Sequence, residues 1–275
     1  GGAPGTPRLF ERGGRDFVRC RGGGRVRLAP LPSTAEIAAH YEAAYAGGSY
    51  TIFIEADEAR HLIARHRLER MRGVARHGRW LDIGCSMGHF AAAATRAGVL
   101  AQGIDVSPGA VRLGRDRGLD VHVASVEDFR PEGTFDAITA FDVIEHSNDP
   151  RDFLHRVREW ISPGGALVLT LPDVSSVYAR VLMRKHWFYY APEDHVYYFD
   201  PKTIRSLLHG HGFRVHTVER SYKPMSLRYV AGQLRHFNPL LAAPLELTNR
   251  LLPAALVNHP WEVYVGEMWV VAERA

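Results

Sequence analysis

The chain has 275 residues, 46% of them hydrophobic, and a formal net charge of +4. That is enough apolar material for one large core with appended elements, and too mild a charge to predict a polyanionic partner. No run approaches the roughly 18–20 apolar residues of a membrane span, and Gly1 to Pro7 lacks the apolar centre of a secretory leader. The two cysteines, Cys20 and Cys85, sit in unlike contexts and suggest no disulfide framework, so a reducing cytoplasm is the expected compartment.

Residues 8–31 read as an arginine-rich β-hairpin, with Asp16–Cys20 and Arg25–Leu28 flanking Gly22-Gly23-Gly24. The seven arginines between Arg8 and Arg27, set against Glu11 and Asp16, come closest to a nucleic-acid stripe, but charge runs are usually solvated faces, and all but three of the 34 basic residues in the chain are arginine. The excess therefore predicts a solvated face and no nucleic-acid partner. Ser33 with Glu36 forms a capping box before a helix to Tyr45, and Ile54 to Arg76 follows as a charged amphipathic helix.

From Arg79 short apolar runs alternate with helices. Strands are expected at Trp80–Ile83, Leu100–Asp105, Val121–Ala124, Phe135–Phe141, Ala166–Leu171, Phe213–Glu219 and Val263–Ala272. Helices are expected at His89–Ala97, Pro108–Arg117, Pro150–Ile161 and Pro201–His211. This alternation predicts an α/β fold, a Rossmann-like, seven-stranded, mostly parallel sheet with helices on both faces, preceded by the hairpin and a helical cap. Ser226–Val257 reads as a helical insertion, its helices broken by Pro239, Pro244 and Pro253.

The chemistry concentrates in Leu81-Asp82-Ile83-Gly84-Cys85-Ser86-Met87-Gly88-His89-Phe90. A strand ends and a helix begins there, at the carboxyl end of the first strand, where open α/β sheets bind ligands. Gly84 lets backbone pass close to a ligand, and the free N–H groups of the helix N-terminus suit a carboxylate. Asp105 lies 21 residues beyond Gly84, at the end of the second strand, where it can accept both hydroxyls of a ribose. After the third strand, the backbone of Ser125 and Val126 together with Glu127 could pair with an adenine edge. In order and at the correct strand ends, these pieces predict a nucleoside site. A nicotinamide cofactor would ask for G-x-G-x-x-G, but the sequence has Gly84, Ser86 and His89, and Asp82 would repel a pyrophosphate.

From Arg79 to about Gly212, about half of the chain, the sequence resembles the class I S-adenosylmethionine-dependent methyltransferases. It is similar to the branch of ubiquinone-biosynthesis-type and antibiotic-tailoring enzymes. The resemblance rests on Leu81–Gly88, Gly103–Ser107, Ser125–Phe129, Phe135–His146 and Ser162–Leu171 with its Pro163-Gly164-Gly165 turn. Ser86 stands where the family's loop has its middle glycine. The resemblance implies S-adenosylmethionine as cofactor, held by Asp82, Gly84, Cys85, Ser86, Gly88, Asp105, Val106, Ser125, Val126, Glu127 and Phe141. It implies a methyltransferase domain over 79–275, with a lid at about 172–200, behind an N-terminal unit over 1–78.

Methyl transfer to a hydroxyl calls for a general base. The candidates are His195, after the fifth strand, and His146, after the fourth. Asp142, Glu145, His146 and His195 match in spacing an acid-x-x-Glu-His…His set that resembles the divalent-metal site of small-RNA 2′-O-methyltransferases and of some ubiquinone-pathway O-methyltransferases. Asp142 stands where those enzymes tend to have Glu, and the expectation is no metal. The aromatic-rich stretch Tyr178 to Phe199 predicts an apolar or aromatic acceptor pocket, with Arg180, Arg184 and Lys185 placed to meet an anionic group on the acceptor. The hairpin resembles a zinc ribbon that has lost its ligands, with Gly23 where a second cysteine would follow Cys20. No zinc is expected. The hairpin is expected to pack over the cleft or on a neighbouring subunit, which leaves a homodimer open. The expected function is O-methylation of a small-molecule hydroxyl or phenol in secondary metabolism. The alternatives are N- or C-methylation, of a sugar among other acceptors, or a scaffold that binds the cofactor without turnover.

Overall fold

The computed structural model describes residues 7–20, 24–32, 36, 57–75, 77–237 and 239–275. The centre is a seven-stranded sheet built from β4 (Arg79–Ile83), β5 (Leu100–Asp105), β6 (Val121–Val123), β7 (Phe135–Phe141), β8 (Ile161–Pro172), β10 (Phe213–Met225) and β11 (Trp261–Arg274). Their spatial order is β10-β11-β8-β7-β4-β5-β6. The five strands from β8 to β6 are parallel, and β11 and β10 close the edge antiparallel. The parallel strands are near-continuous apolar runs because both their faces are covered. Leu81, Ile138, Leu167 and Leu169 are fully buried against Phe153, Leu154 and Val157 of α4 (Pro150–Trp160).

Each helix on the sheet starts where its sequence says it should. Ser107 Oγ accepts from Ala110 N at the head of α3 (Pro108–Asp116), Asp149 caps α4, and Asp200 with Thr203 forms a reciprocal capping box on α5 (Pro201–His209). The helix after β4 is α2 (His89–Arg96), entered through Gly88 at φ 77°. Helix α1 (Asp57–Met71) packs Ala64, Leu68 and Met71 against Trp80, Phe90 and Val99. No helix among the described residues is long and apolar enough to cross a membrane.

Several expectations need correction. The N-terminal hairpin is a three-strand meander, β1 (Arg8–Arg12), β2 (Arg15–Arg19) and β3 (Val26–Ala29), turning first at Gly13-Gly14. Its outer strand pairs with β9 (Tyr197–Tyr198), so the four strands make one antiparallel sheet over the lid. Several of its arginines, though partly exposed, are engaged. Arg12 donates to the carbonyls of Lys185 and Trp187, and Arg8 pairs with Glu11 and Asp16. Ile161 begins β8 instead of ending a helix, and β10 runs on to Met225. The insertion folds as α6 (Leu227–Phe237), α7 (Pro239–Leu251) and α8 (Ala254–Val257), with Pro244 inside α7. The helix expected after Ser33 lies outside the described residues, as do Gly22 and Gly23.

Candidate active site

The loop between β4 and α2 stands at the carboxyl end of the sheet, and its backbone is built around glycines and one strained serine. Gly84 has φ 72°, and a Cβ there would meet Val143 Cγ2 at 2.5 Å. Ser86 has φ 50°, a left-handed conformation that a non-glycine residue adopts at a cost of about 1–3 kcal/mol unless its surroundings hold it. Here the hold is Asp105, whose Oδ2 accepts from Ser86 N at 2.8 Å while Oδ1 accepts from Ser107 N at 2.9 Å. Each oxygen keeps a further lone pair, which is what a ribose diol would use. Burial raises the Asp105 carboxyl and the two backbone donors oppose it.

Asp82 lies one strand over, opposite Gly103 in register and buried. Burial pushes its carboxyl up to about 7, against the pull of Thr139 Oγ1, which donates to Oδ1 at 2.7 Å, and of Arg67. A buried acid short of positive charge fits the ammonium of a methionine moiety. Cys85 offers backbone only, because its thiol is buried against Gly103, Val111 and Val121. Val106 is exposed at the rim. Ser125 Oγ donates to Asp128, the Val126 side chain lies in the core, and Glu127 is exposed. Phe141 packs between Phe90 and Trp269, with the Arg67 guanidinium 4.3 Å above its ring. The loop thus supplies acids, backbone donors and close-packed glycines, a set that fits S-adenosylmethionine.

Beyond the end of β7 the two histidines come together. The rings of His146 and His195 are 4.6 Å apart and perpendicular, and His146 Nδ1 donates to the Asp194 carbonyl at 2.9 Å. His195 is buried, its Nδ1 has no hydrogen-bond partner, and its ring stacks on Tyr189 at 5.7 Å. Burial, with His146 adding to it, holds the His195 imidazole well below the usual histidine value, so it is neutral near pH 7. Glu145 is also buried, and neither carboxylate oxygen has a hydrogen-bond partner. Burial and the nearby Asp142 push it well above the usual carboxylate range. Glu145, His146 and His195 each present a ligand atom, all within 4.8 Å of one another. One carboxylate and two imidazoles suit a first-row transition ion better than Mg²⁺, which prefers an octahedron of oxygens.

Asp142, the fourth residue of the spacing motif, is turned elsewhere. At φ 59° it accepts from Arg67 Nη2 at 2.7 Å and from Thr170 Oγ1 at 3.2 Å, and Lys223 Nζ is 3.4 Å away. Burial by itself would raise its carboxyl, but Lys223 and Arg67 bring it down to about 2. Three residues of this wall escaped the sequence reading. They are Arg67 on α1, Lys223 on β10 and Glu267 on β11. Glu267 is fully buried and ion-paired to Lys223, a charge contact without a hydrogen bond of regular angle, and Lys223 Nζ also reaches Tyr189 Oη at 3.3 Å. Arg180, Arg184 and Lys185 stand on the lid, 180–185, outside this wall.

The chain matches the family of methyltransferase domains over residues 56–218, and it belongs to that family. Its sheet order and cofactor loop make it a class I S-adenosylmethionine-dependent methyltransferase. It is 36% identical over 100 residues to the ubiquinone biosynthesis O-methyltransferase of Xanthomonas oryzae, a match covering 34% of this chain and 42% of that one. It is 33% identical over 125 residues to the mitochondrial ubiquinone biosynthesis O-methyltransferase of Schizosaccharomyces pombe, covering 40% and 46%. The chain thus spans less than half the length of these curated relatives. Among solved structures, it is similar to an S-adenosylmethionine-dependent methyltransferase of Thermotoga maritima, with TM-score 0.56, 16% identity, and 82% and 96% of the two chains covered. It is also similar to 1,6-didemethyltoxoflavin-N1-methyltransferase of Burkholderia thailandensis, with TM-score 0.55, 15% identity, and 98% and 99% covered. At these identities the structural likeness is one of fold.

Proposed function

We propose that the protein methylates a hydroxyl or phenol of a small aromatic or apolar molecule, with His195 as the proton acceptor. The observation that carries the reading is a buried, neutral imidazole with an unpartnered Nδ1, set against Tyr189 and against His146, which follows the Val143 that packs on Gly84. S-adenosylmethionine, when bound, supplies an electrophilic methyl group on a sulfonium. Asp82, Asp105 and the backbone of Gly84 to Gly88 would hold it. A hydroxyl is a poor nucleophile until it loses its proton, and the neutral His195 can take that proton without first losing one. Tyr189, stacked on His195 and edge-on to Trp187, would form an aromatic wall for the acceptor. The ubiquinone-pathway names of the sequence relatives agree with O-methylation, and the resemblance to tailoring enzymes supports a role in secondary metabolism, in the cytoplasm.

The test is incubation with labelled S-adenosylmethionine and a panel of phenols and hydroxy acids. Turnover is expected, and His195→Ala should lower kcat about 10²–10⁴-fold, the usual worth of a general base, with cofactor affinity unchanged. Labelled product on an amine or a carbon, with His195→Ala retaining its rate, would refute the base assignment. Binding without turnover across the panel would make the protein a scaffold.

A second reading rests on Glu145, whose buried and unpartnered carboxylate asks for a cation. Glu145, His146 and His195 would hold a divalent ion, and its chemistry there would be Lewis-acid polarisation of the acceptor oxygen. In that case a chelator abolishes activity and a divalent ion restores it.

A further inference from the structure

We infer that Asp57, His61 and His89 form a binding site for a divalent first-row transition ion, at the junction of α1 with the head of α2. Asp57 and His61 are four residues apart in the first turns of α1, so their side chains share one face. His89 is the first residue of α2, directly after Gly88, where a Cβ would meet Leu119 Cδ1 at 2.5 Å, so its backbone position is fixed by packing. Asp57 Oδ1 is 2.7 Å from His89 Nε2, Asp57 Oδ2 is 3.3 Å from His61 Nε2, and one ligand atom from each residue lies within 4.8 Å of the others. With metal–ligand bonds of about 2.0–2.1 Å in a tetrahedron, ligand atoms stand roughly 3.3 Å apart; Asp57 Oδ2 and His61 Nε2 already have that separation, and the His89 ring would exchange its hydrogen bond to Oδ1 for the ion.

The donor set agrees with the geometry: two imidazoles and one carboxylate are the ligands that first-row transition ions take. His89 is buried while Asp57 and His61 reach the surface, which leaves an open side for a water as fourth ligand. Arg117 Nη2 sits 3.1 Å from Asp57 Oδ1 and competes for it, but its side chain is exposed and can turn into solvent. A bound ion would pin α1, the helix that carries Arg67 into the cleft, to the loop that holds the cofactor. It would do so through a ligand set that shares no residue with Glu145, His146 and His195.

Chelator-stripped Glu145→Gln protein, with the cleft cluster impaired, is titrated with Zn²⁺ by calorimetry and with Co²⁺ by visible absorption. One ion is expected to bind, with the d–d bands of Co²⁺ bound through nitrogen and oxygen. Adding His61→Ala should weaken binding by roughly tenfold or more, and Arg117→Ala should tighten it. Melting curves verify folding, with His61→Gln as the second variant. If no ion binds the Glu145→Gln protein, or if both His61 variants bind as it does, the proposal fails and the three residues are a hydrogen-bonded tie between helices.

Discussion

Asp82 and Asp105 end neighbouring strands, and their surroundings give them different work. Asp105 has two backbone donors and spare lone pairs. Asp105→Ala should weaken cofactor binding by about 1.5–3 kcal/mol, the range for hydrogen bonds to a charged group, as read by calorimetry. An unchanged affinity would displace Asp105 from the ribose. Asp82 has one hydroxyl donor and a carboxyl raised to about 7. An ammonium beside it would hold it ionised, so binding must release a proton wherever the free protein still carries one. Cofactor affinity should therefore rise from pH 6 through pH 7 and turn over as the amino group itself titrates near 7.7–8.0. In Asp82→Asn that rise should vanish. Both acids were legible in the sequence because strand ends are. The role of the Cys85 side chain was not, because only the packed structure shows its thiol turned away under β5.

At the scale of elements, the parallel strands β5 and β7 were read to the residue. The misreadings came where partners are remote in sequence. Lys223 sits on the edge strand β10 and Glu267 on β11 beside it, and only the pairing of these late strands with the sheet brings the two together at Asp142. Arg67 belongs to a helix charged on most sides, so nothing local marks it as the residue that enters the cleft. The lid is fixed on β11 at Gly266, φ 89°, where Trp187 Nε1 donates to the Val265 carbonyl at 3.2 Å. A Cβ at Gly266 would stand 2.9 Å from Trp187 Cζ2 and 3.0 Å from Ser176 Oγ. Gly266→Ala should cost about 1–3 kcal/mol in urea unfolding, from backbone strain and overpacking together. It should also shift Trp187 fluorescence; a neutral substitution would mean the lid is not anchored there.

For the whole molecule, the wall around Asp142 is a stability cost. The half-buried Asp142 and the buried Glu145 and Glu267 bring three carboxylates together, and Arg67 with Lys223 answers two of them. Glu145 is the one left over. Its carboxyl is raised well above the usual value by burial and by Asp142. Raised in the folded state, it binds more protons there than in the unfolded chain at any pH between the two values. Its effect on stability is therefore most favourable below the unfolded value near 4.3 and is lost as pH rises toward the folded one. Glu145→Gln removes that titration while keeping the shape. Its melting temperature should gain on the parent protein progressively from pH 5 to pH 8, measured without added metal. Adding a divalent ion to the parent at pH 8 should close the gap if Glu145, His146 and His195 hold it, because a bound cation replaces the missing counter-charge. A gain that is the same at every pH would show that Glu145 titrates normally, and would remove the ground for placing a cation in the cleft.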